Sequence, residues 1–197
     1  MATVVVPFRG TDPKQRLAVE DPARRLLAEA MLADVVDAAS AVGAVVVVAP
    51  ADTAVPPAVT LVEDPRRGQG AAVEAGLAAA SAAGLPVPYL VVNADLPCAG
   101  ARDLLALAGA VPDAGIALAA AADGTTNAIA FTDASLFQPV YGPGSAERFA
   151  ALGPSTVLDA PNLMDDVDTL DDLARLAGRV GEHTRRVLRS LDLLSAA

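Results

Sequence analysis

The sequence has very few of the residues that carry nucleophilic or thiolate chemistry. It contains one cysteine, Cys98, one histidine, His183, and no tryptophan, and aromatic residues make up 3% of the chain. A single cysteine excludes an internal disulfide and cannot form a thiolate zinc site on its own, so we expect a cytoplasmic protein. His183 has no cysteine or histidine partner at ligand spacing, and it is interpreted as a surface residue of a C-terminal helix. These absences argue against a cysteine or serine–histidine nucleophile.

Long apolar runs and excess positive charge are also missing. No run reaches the roughly 18 residues that cross a bilayer, and the first residues lack the charged start and the cleavage site of a signal peptide. The chain has 14 basic and 24 acidic residues, a formal net charge of -10. That charge disfavours nucleic acid and anionic membranes as partners. An anionic small ligand would therefore need a local basic loop or metal ions to bind.

The pattern of apolar residues predicts one α/β domain over residues 1–197. Apolar segments typical of buried strands alternate with longer Ala/Leu-rich stretches typical of helices. Strands that are apolar throughout indicate a sheet covered on both faces, which here gives a three-layer α/β/α sandwich with a mostly parallel mixed sheet. The predicted strands are 2–6, 44–49, 58–62, 88–93, 115–121 and 127–131, and the predicted helices are 22–40, 70–84, 101–111, 143–153 and two C-terminal segments that begin near 166 and 181.

A basic loop follows the first predicted strand. It holds Arg9, Lys14 and Arg16, and Lys14 is the only lysine of the chain. In parallel sheets ligands bind at the carboxyl ends of the strands, and a glycine-containing basic loop at that edge can wrap a polyphosphate. The alternative is an exposed loop whose charges serve only solubility.

Two acidic motifs stand at the ends of predicted elements. The first follows a predicted strand, and the second lies at the start of a predicted C-terminal helix. Asp95 of "NADLP" comes directly after a buried strand, where it could bind Mg²⁺, although it could also cap the helix that follows. In "DDVDT", an extended backbone would place the carboxylates of Asp166 and Asp168 on one face, where they repel each other unless a cation lies between them. The alternative is helix capping by Thr169 with Asp172, which leaves the Asp166/Asp168 pair unexplained.

Two turns, "DGTTN" (123–127) and "YGPGS" (141–145), carry small hydroxyl residues. Their N–H groups and hydroxyls could point at a carboxylate or a phosphate. Ser145 is also predicted to be the N-cap of a helix over 146–152. The alternative is a pair of plain turns.

Taken in order, these motifs resemble one family. Together with "ARRLLAEAMLADVV" and "DVDTLDDL", they are similar to the 2-phospho-L-lactate / phosphoenolpyruvate guanylyltransferases of coenzyme F-420 biosynthesis, over Val4 to about Val187. The resemblance implies a nucleotidyltransferase domain of the glycosyltransferase-A-like fold. It also implies transfer of GMP from GTP to the phosphate of phosphoenolpyruvate or 2-phospho-L-lactate, with release of pyrophosphate. Phosphate monoesters are largely ionised at neutral pH, so this reaction needs no general base.

The resemblance also implies roles for particular residues. Asp95, Asp166 and Asp168 would bind two Mg²⁺ ions, and Lys14 and Arg16 would bind the nucleotide phosphates. Lys14, Arg16 and Asp95 would thus be the catalytic residues. Arg9 belongs to the same basic loop. The nucleotide would contact Gly68, Gln69 and Gly70. Many relatives carry Leu-Asn in place of Gln69-Gly70. The acid would contact Thr125, Thr126, Gly142 and Ser145.

Three other readings of the sequence stay open. One is another nucleotidyltransferase, of the sugar-1-phosphate or molybdenum-cofactor type, although those chains usually open with a fuller glycine-rich loop. Another is a glycosyltransferase, because "DVD" resembles its DxD motif, which normally ends a mid-chain strand. The last is a nucleotide-binding module without catalysis. The acceptor acid, the reading of guanine and the oligomeric state also stay open, with a homodimer as one alternative.

Overall fold

A computed structural model describes residues 1–10 and 19–193 of the chain. Within these residues, seven strands form one sheet. The strands are β1 (Ala2–Pro7), β2 (Gly43–Ala49), β3 (Thr60–Glu63), β4 (Tyr89–Val92), β5 (Ile116–Ala120), β6 (Thr126–Phe131) and β7 (Ser155–Val157). Their order across the sheet is β3-β2-β1-β4-β6-β5-β7.

The sheet is parallel except for one reversed strand. β1 pairs in parallel with both β2 and β4, β2 pairs in parallel with β3, and β5 pairs in parallel with β7. β6 runs antiparallel to its neighbours β4 and β5. The prediction of a mostly parallel mixed sheet is therefore confirmed.

Helices cover both faces of the sheet. The helices of the described residues are α1 (Asp21–Ser40), α2 (Gln69–Ala82), α3 (Ala101–Gly109), α4 (Ser145–Ala150), α5 (Pro161–Met164), α6 (Leu170–Leu176) and α7 (Glu182–Ser190). α1 and α3 share one apolar core with Val4 and Val6, whereas α2 and α4 share another with Val5. Successive side chains of a strand point to opposite faces, which explains why β1 is buried at every position and apolar at every position except Thr3. The three-layer sandwich is confirmed.

One glycine lets α2 lie directly on the sheet. A Cβ at Gly76 would come within 2.5 Å of Val5 Cγ1 and 2.8 Å of Val48 Cγ2, closer than packed carbons approach. A side chain here would push α2 away from β1 and β2. Gly76 therefore sets the distance between the sheet and α2, whose first residue, Gln69, lies at the carboxyl edge.

The C-terminal helices pack on α1 rather than on the sheet. Leu27 and Met31 of α1 form a third apolar cluster with Leu173 of α6, Leu188 of α7 and Val167. The N-terminus of α7 is capped from α1. Asp34 of α1 accepts hydrogen bonds from the N–H groups of His183 (2.9 Å) and Thr184 (3.0 Å). This docking brings the segment before α6 to the carboxyl end of β4.

Most predicted elements are found within a few residues of their expected bounds. Two short elements, β7 and α5, were not predicted, because three and four residues are too few for a periodic pattern. His183 is only partly exposed, and its Nε2 lies 2.9 Å from Asp37 Oδ2. None of the helices in the described part of the chain has both the length and the apolar content needed to cross a membrane.

Candidate active site

Three carboxylates that are far apart in the sequence come together beyond the end of β4. Asp95 lies in the loop after β4, and Asp166 and Asp168 lie in the segment between α5 and α6. One oxygen from each side chain lies within 4.8 Å of the other two, and all three residues are partly buried. The structure thus brings together the three residues that were predicted as metal ligands. Their role as ligands stays a prediction.

The backbone joins the two acidic segments directly. The N–H of Val167 donates a hydrogen bond of 3.0 Å to the carbonyl oxygen of Asp95. Val167 itself is completely buried in the apolar cluster formed with α1 and α6. Because neighbouring side chains of an extended segment alternate, Asp166 and Asp168 are directed to the side opposite Val167.

The surroundings of Asp166 disfavour its ionised form. Burial raises the pKa of its carboxyl group, and the negative charges of Asp95 and Asp168 raise it further. The Nδ2 group of Asn127 lies 3.5 Å from Asp166 Oδ1 and donates to the carbonyl oxygen of Met164 at 3.1 Å. Several carboxylate oxygens at one point are the donors that hard divalent cations prefer, so this set fits Mg²⁺ or Mn²⁺.

The helix-capping interpretation of "DDVDT" also holds. Thr169 is the N-cap of α6, and its hydroxyl accepts a hydrogen bond from the N–H of Asp172. Asp172 Oδ2 in turn accepts from the N–H of Thr169 at 2.9 Å. Capping and the paired carboxylates are therefore compatible, because different residues of the motif provide them.

The capping alternative for Asp95 is wrong. α3 has Gly100 as its N-cap, and the N–H of Gly100 donates to Asp103 Oδ2 at 2.9 Å. Asp103, three residues into the helix region, therefore performs the capping that the alternative assigned to Asp95. Asp95 is directed to the carboxylate group instead.

A cleft of about 190 Å³ opens beside Asp95. It lies between the ends of β1 and β4 and the start of α2, and its lining includes Arg9, Gln69, Asn93 and Asp95. Gln69 Nε2 donates to Asn93 Oδ1 at 2.8 Å. Arg9 Nη2 would lie 3.8 Å from a Cβ at Gly68. The structure thus brings Arg9 and Gln69 to one cleft next to the carboxylates, with Gly68 beside the Arg9 side chain.

Two predicted catalytic residues cannot be placed in this cleft. Lys14 and Arg16 lie outside the described residues. Their contact with the nucleotide phosphates stays a prediction from the sequence.

Gly70 has a packing reason to lack a side chain. A Cβ at this position would lie 2.4 Å from Pro139 Cβ. The start of α2 therefore packs tightly on the segment around Pro139. A contact between Gly70 and the nucleotide stays a prediction.

The two hydroxyl-bearing turns lie side by side. The hydroxyl of Ser145 donates to Thr126 Oγ1 at 3.1 Å, and the N–H of Ala146 donates to the carbonyl oxygen of Gly124 at 3.2 Å. Thr126 and Ser145 are 3% and 0% exposed, so their hydroxyls bind the two turns together. Thr125 is nearer the surface, and its hydroxyl donates to Asp123 Oδ1 at 2.7 Å.

Ser145 is not the N-cap of the following helix, so that prediction is wrong. α4 begins at Ser145 itself, and its N-cap is Gly144, whose φ of 70° is left-handed and favours glycine. The Ser145 hydroxyl is engaged by Thr126 instead of by the helix N-terminus. Gly142, with φ 107°, provides a second left-handed residue in this turn.

Sequence reasoning missed the residue that holds this turn. The guanidinium of Arg148 donates to three backbone carbonyls, those of Val140 (3.0 and 3.1 Å), Tyr141 (3.2 Å) and Pro143 (2.7 Å). These carbonyls surround Gly142 in the chain. The position of Arg148, one helical turn after "YGPGS", is the signal that could have indicated a contact back to the turn.

Asn93 connects the cleft to the two turns, and it was also missed. Its Nδ2 group donates to the carbonyl oxygen of Thr126 at 3.3 Å, while its Oδ1 accepts from Gln69. Both asparagines of the site stand in motifs that were singled out, Asn93 in "NADLP" and Asn127 in "DGTTN". In the structure their side-chain amide groups join separate segments by hydrogen bonds, which their positions in the motifs do not indicate.

Solved structures share this fold. A nucleotide-diphospho-sugar transferase structure from Desulfovibrio desulfuricans superposes with a TM-score of 0.75 at 18% identity, and covers 98% of this chain and 96% of that chain. A Mycobacterium tuberculosis protein solved in complex with manganese superposes with a TM-score of 0.55 at 18% identity, over 91% of this chain and 98% of that chain.

Curated relatives resemble the chain over most of its length. A phosphoenolpyruvate guanylyltransferase 2 of Rhodococcus jostii is 36% identical, covering 95% of this chain and 90% of the relative. A 2-phospho-L-lactate guanylyltransferase of Haloarcula marismortui is 35% identical, covering 88% and 84%. A 3-phospho-D-glycerate guanylyltransferase of Phenylobacterium zucineum is 33% identical, covering 97% of both chains.

A family model agrees with these relatives. The model of the MobA-like NTP transferase domain matches residues 15–194. The matched range includes the carboxylate group, the start of α2 and both turns. The chain therefore belongs to the phosphoenolpyruvate and 2-phospho-L-lactate guanylyltransferases, a family of nucleotidyltransferases with a MobA-like NTP transferase domain.

Proposed function

We propose that residues 1–197 act as one catalytic domain that transfers GMP from GTP to the phosphate group of a small phosphorylated carboxylic acid. A phosphate oxygen of the acid attacks the α-phosphorus of GTP, the new P–O bond forms, and the bond to the β-phosphate breaks, so that pyrophosphate leaves. The acceptors named for relatives are phosphoenolpyruvate, 2-phospho-L-lactate and 3-phospho-D-glycerate. We favour phosphoenolpyruvate or 2-phospho-L-lactate, and a place in coenzyme F-420 biosynthesis.

The observation that carries this proposal is the convergence of Asp95, Asp166 and Asp168 within 4.8 Å beside the cleft. Both substrates are polyanions, and their mutual repulsion is the main obstacle to the reaction. Three acidic side chains at the meeting point would make that repulsion worse unless they hold cations. We propose that they hold Mg²⁺, as two ions.

Bound Mg²⁺ would supply the positive charge that offsets the repulsion between the two phosphates and stabilises the leaving pyrophosphate. The protein's own residues then have to position the reactants. Arg9 and Gln69, which line the cleft, would hold the nucleotide together with Lys14 and Arg16 of the basic segment after β1. A compact lysine ammonium suits a phosphorus centre whose charge redistributes, whereas arginine suits a fixed two-point grip on the phosphate tail.

The two turns would hold the acid. Thr125, Thr126, Gly142 and Ser145 lie in adjacent turns that are joined by the Ser145–Thr126 hydrogen bond. Since the two buried hydroxyls bind each other, we infer that backbone N–H groups and Thr125 provide most of the direct contacts with the acid. Asn93 links these turns to the cleft, which supports the two substrates binding on either side of it.

No general base is required in this proposal. The second ionisation of a phosphate monoester has a pKa of about 6, so the attacking oxygen is already ionised at neutral pH. Cys98, the only cysteine, is buried, and burial raises the pKa of its thiol, which disfavours a thiolate nucleophile. We also propose a cytoplasmic location, in keeping with a chain that has a single cysteine and so no internal disulfide.

The test is a pyrophosphate-release assay that crosses GTP and ATP with the three acids, with and without Mg²⁺. We expect release with GTP, Mg²⁺ and at least one acid, and little release with ATP. GTP binding without pyrophosphate release in any combination would contradict the proposal and favour a module without catalysis.

A variant pair tests the acidic residues. Asp95→Asn should abolish Mg²⁺-dependent release while the protein stays folded. The matched control is Asp113→Asn, which removes the same charge from an exposed position in the loop after α3 and should keep wild-type rates. Near-normal rates in Asp95→Asn would place the metal elsewhere.

A further inference from the structure

Two arginines meet on the carboxylate that directly precedes Asp166. Arg175 Nη1 donates to Asp165 Oδ1 at 2.6 Å, and Arg179 Nη1 donates to Asp165 Oδ2 at 2.8 Å. Both oxygens of Asp165 are thus engaged by separate guanidinium groups. Asp165 points to these arginines, and it does not belong to the group formed by Asp95, Asp166 and Asp168.

The same arginines reach two further points around the acidic segment. Arg175 Nη2 donates to Asp172 Oδ1 at 3.3 Å, and Asp172 is the partner of Thr169 in the cap of α6. Arg179 donates from Nη2 to Asn162 Oδ1 at 2.7 Å, within α5. The segment 165–169 is therefore held at its start by Asp165 and at its end by Asp172, and Arg175 contacts both ends.

The middle of the segment is anchored separately. Val167 is completely buried in the apolar cluster with α1 and α6, and its N–H is bound to the carbonyl oxygen of Asp95. With the start, middle and end all held, little backbone freedom is left to Asp166 and Asp168.

Such restraint has a physical purpose at this site. Three carboxylates within 4.8 Å repel one another, and a loose segment would relieve that repulsion by moving apart. Ordering the segment only when a cation binds would then reduce cation affinity by the cost of that ordering.

We propose that Arg175 and Arg179 are positioning residues for the cation site, and that by holding Asp165 they keep Asp166 and Asp168 in the binding arrangement before a cation arrives. This inference rests on the proposed function, because it assumes that the three carboxylates bind a cation. In this proposal the arginines act through Asp165 and do not themselves bind the cation or a substrate.

Exposed ion pairs usually contribute little, but this arrangement differs from an isolated pair. The side chains of Asp165, Arg175 and Arg179 are 24%, 52% and 42% exposed. One carboxylate here accepts from two guanidinium groups that also bind Asp172 and Asn162. Networks with such fixed geometry are the case in which surface ion pairs matter.

The proposal predicts a change in cation affinity opposite in sign to the one that simple electrostatics predicts. Removing a positive charge near a cation site should tighten cation binding if charge alone matters. Removing a positioning contact should weaken cation binding, and we take as its size the lower end of the loss found when a partner of a metal ligand is removed, about 10-fold in affinity.

The experiment measures Mn²⁺ binding to the whole protein by electron paramagnetic resonance, without nucleotide or acid. We expect Arg175→Gln and Arg179→Gln each to raise the Kd for Mn²⁺ by about 10-fold. Arg175→Lys, which keeps the charge but cannot span Asp165 and Asp172 with a planar group, should weaken binding to an intermediate degree. In the assay, the Mn²⁺ concentration for half-maximal rate should rise more than the rate at saturating Mn²⁺ falls.

The matched control is Arg186→Gln. Arg186 lies on α7, is 64% exposed and contacts only Glu182 among the described ion pairs, at 3.7 Å. The Arg186→Gln variant should bind Mn²⁺ with the same affinity as the wild type. Unchanged or tighter binding in both Arg175→Gln and Arg179→Gln would overturn the proposal. If Arg175→Gln does not fold, Arg179→Gln and Arg175→Lys decide the question by the same measurement.

Failure of the proposed cation site would be visible separately. If the wild type does not bind Mn²⁺, or Asp95→Asn binds it equally well, the cation site itself is wrong. If the wild type binds and Asp95→Asn does not, while the arginine variants bind like the wild type, only the positioning role is wrong.

Discussion

Replacing Asp166 by asparagine should change the stability of the protein in opposite directions without and with a divalent cation. Without a cation, the change removes one of three mutually repelling carboxylates. With a cation, it removes one of the ligands through which binding stabilises the folded state. The two effects can be separated in one series of thermal melts.

The magnitude follows from the geometry. Two unit charges 4.8 Å apart repel by about 3.5 kcal/mol at an effective dielectric constant of about 20. Because Asp95, Asp166 and Asp168 are only partly buried, screening by water leaves a smaller effect, of about 1–2 kcal/mol. For a chain of this size each kcal/mol shifts the melting temperature by about 2–4 °C. We therefore expect Asp166→Asn to melt a few degrees above the wild type in EDTA.

The effect should depend on pH with a defined sign. Burial, with the charges of Asp95 and Asp168, raises the pKa of Asp166 in the folded state. A carboxyl group whose pKa is raised on folding destabilises the folded protein when it ionises, so its penalty grows as the pH rises from the ordinary pKa of aspartate to the raised pKa, and is complete above it. The stability gain of Asp166→Asn should thus be complete at pH values above that raised pKa and should vanish below about pH 4, the ordinary pKa of aspartate.

The assay compares melting temperatures in EDTA and in saturating Mg²⁺ or Mn²⁺, with Asp113→Asn as the charge-matched control. At 100 times its Kd, a bound cation stabilises the wild type by about 2.7 kcal/mol, and the variant should lose most of this gain. A lower melting temperature for Asp166→Asn in EDTA, or an undiminished gain with the cation, would refute the reasoning.

Three further substitutions test individual contacts. Gly76→Ala should destabilise the protein by about 1–3 kcal/mol in urea unfolding, despite the better helix propensity of alanine, because its methyl group would overlap Val5. Arg148→Gln should raise KM for the acid by about tenfold, a loss of about 1.4 kcal/mol, with KM for GTP unchanged, since it frees the turn around Gly142. Thr169→Ala should lower stability by about 1 kcal/mol through loss of the α6 cap, measured by thermal melting.

Local sequence patterns were enough to predict the layers of the fold. β1 and β2 are apolar at nearly every position because both faces of the sheet are covered, and that pattern needs no knowledge of the partner elements. The cap of α6 was also predictable, because Thr169 and Asp172 are three residues apart and contact each other within one turn. The role of the Ser145 hydroxyl was not predictable in this way, since it is engaged by Thr126, from a different part of the chain, and the N-cap is Gly144.

The sequence by itself therefore determined most of the strands and helices, though not the short β7 and α5, and which acidic and hydroxyl residues stand near strand ends. The meeting of Asp95 with Asp166 and Asp168 was decided by the tertiary structure, through the packing of α6 and α7 on α1 around Val167. The hydrogen bonds from Arg175 and Arg179 to Asp165 also depend on the tertiary structure. Periodicity reports the burial of a residue relative to its own neighbours, whereas the distance between two remote side chains depends on how whole elements pack, which no local pattern encodes.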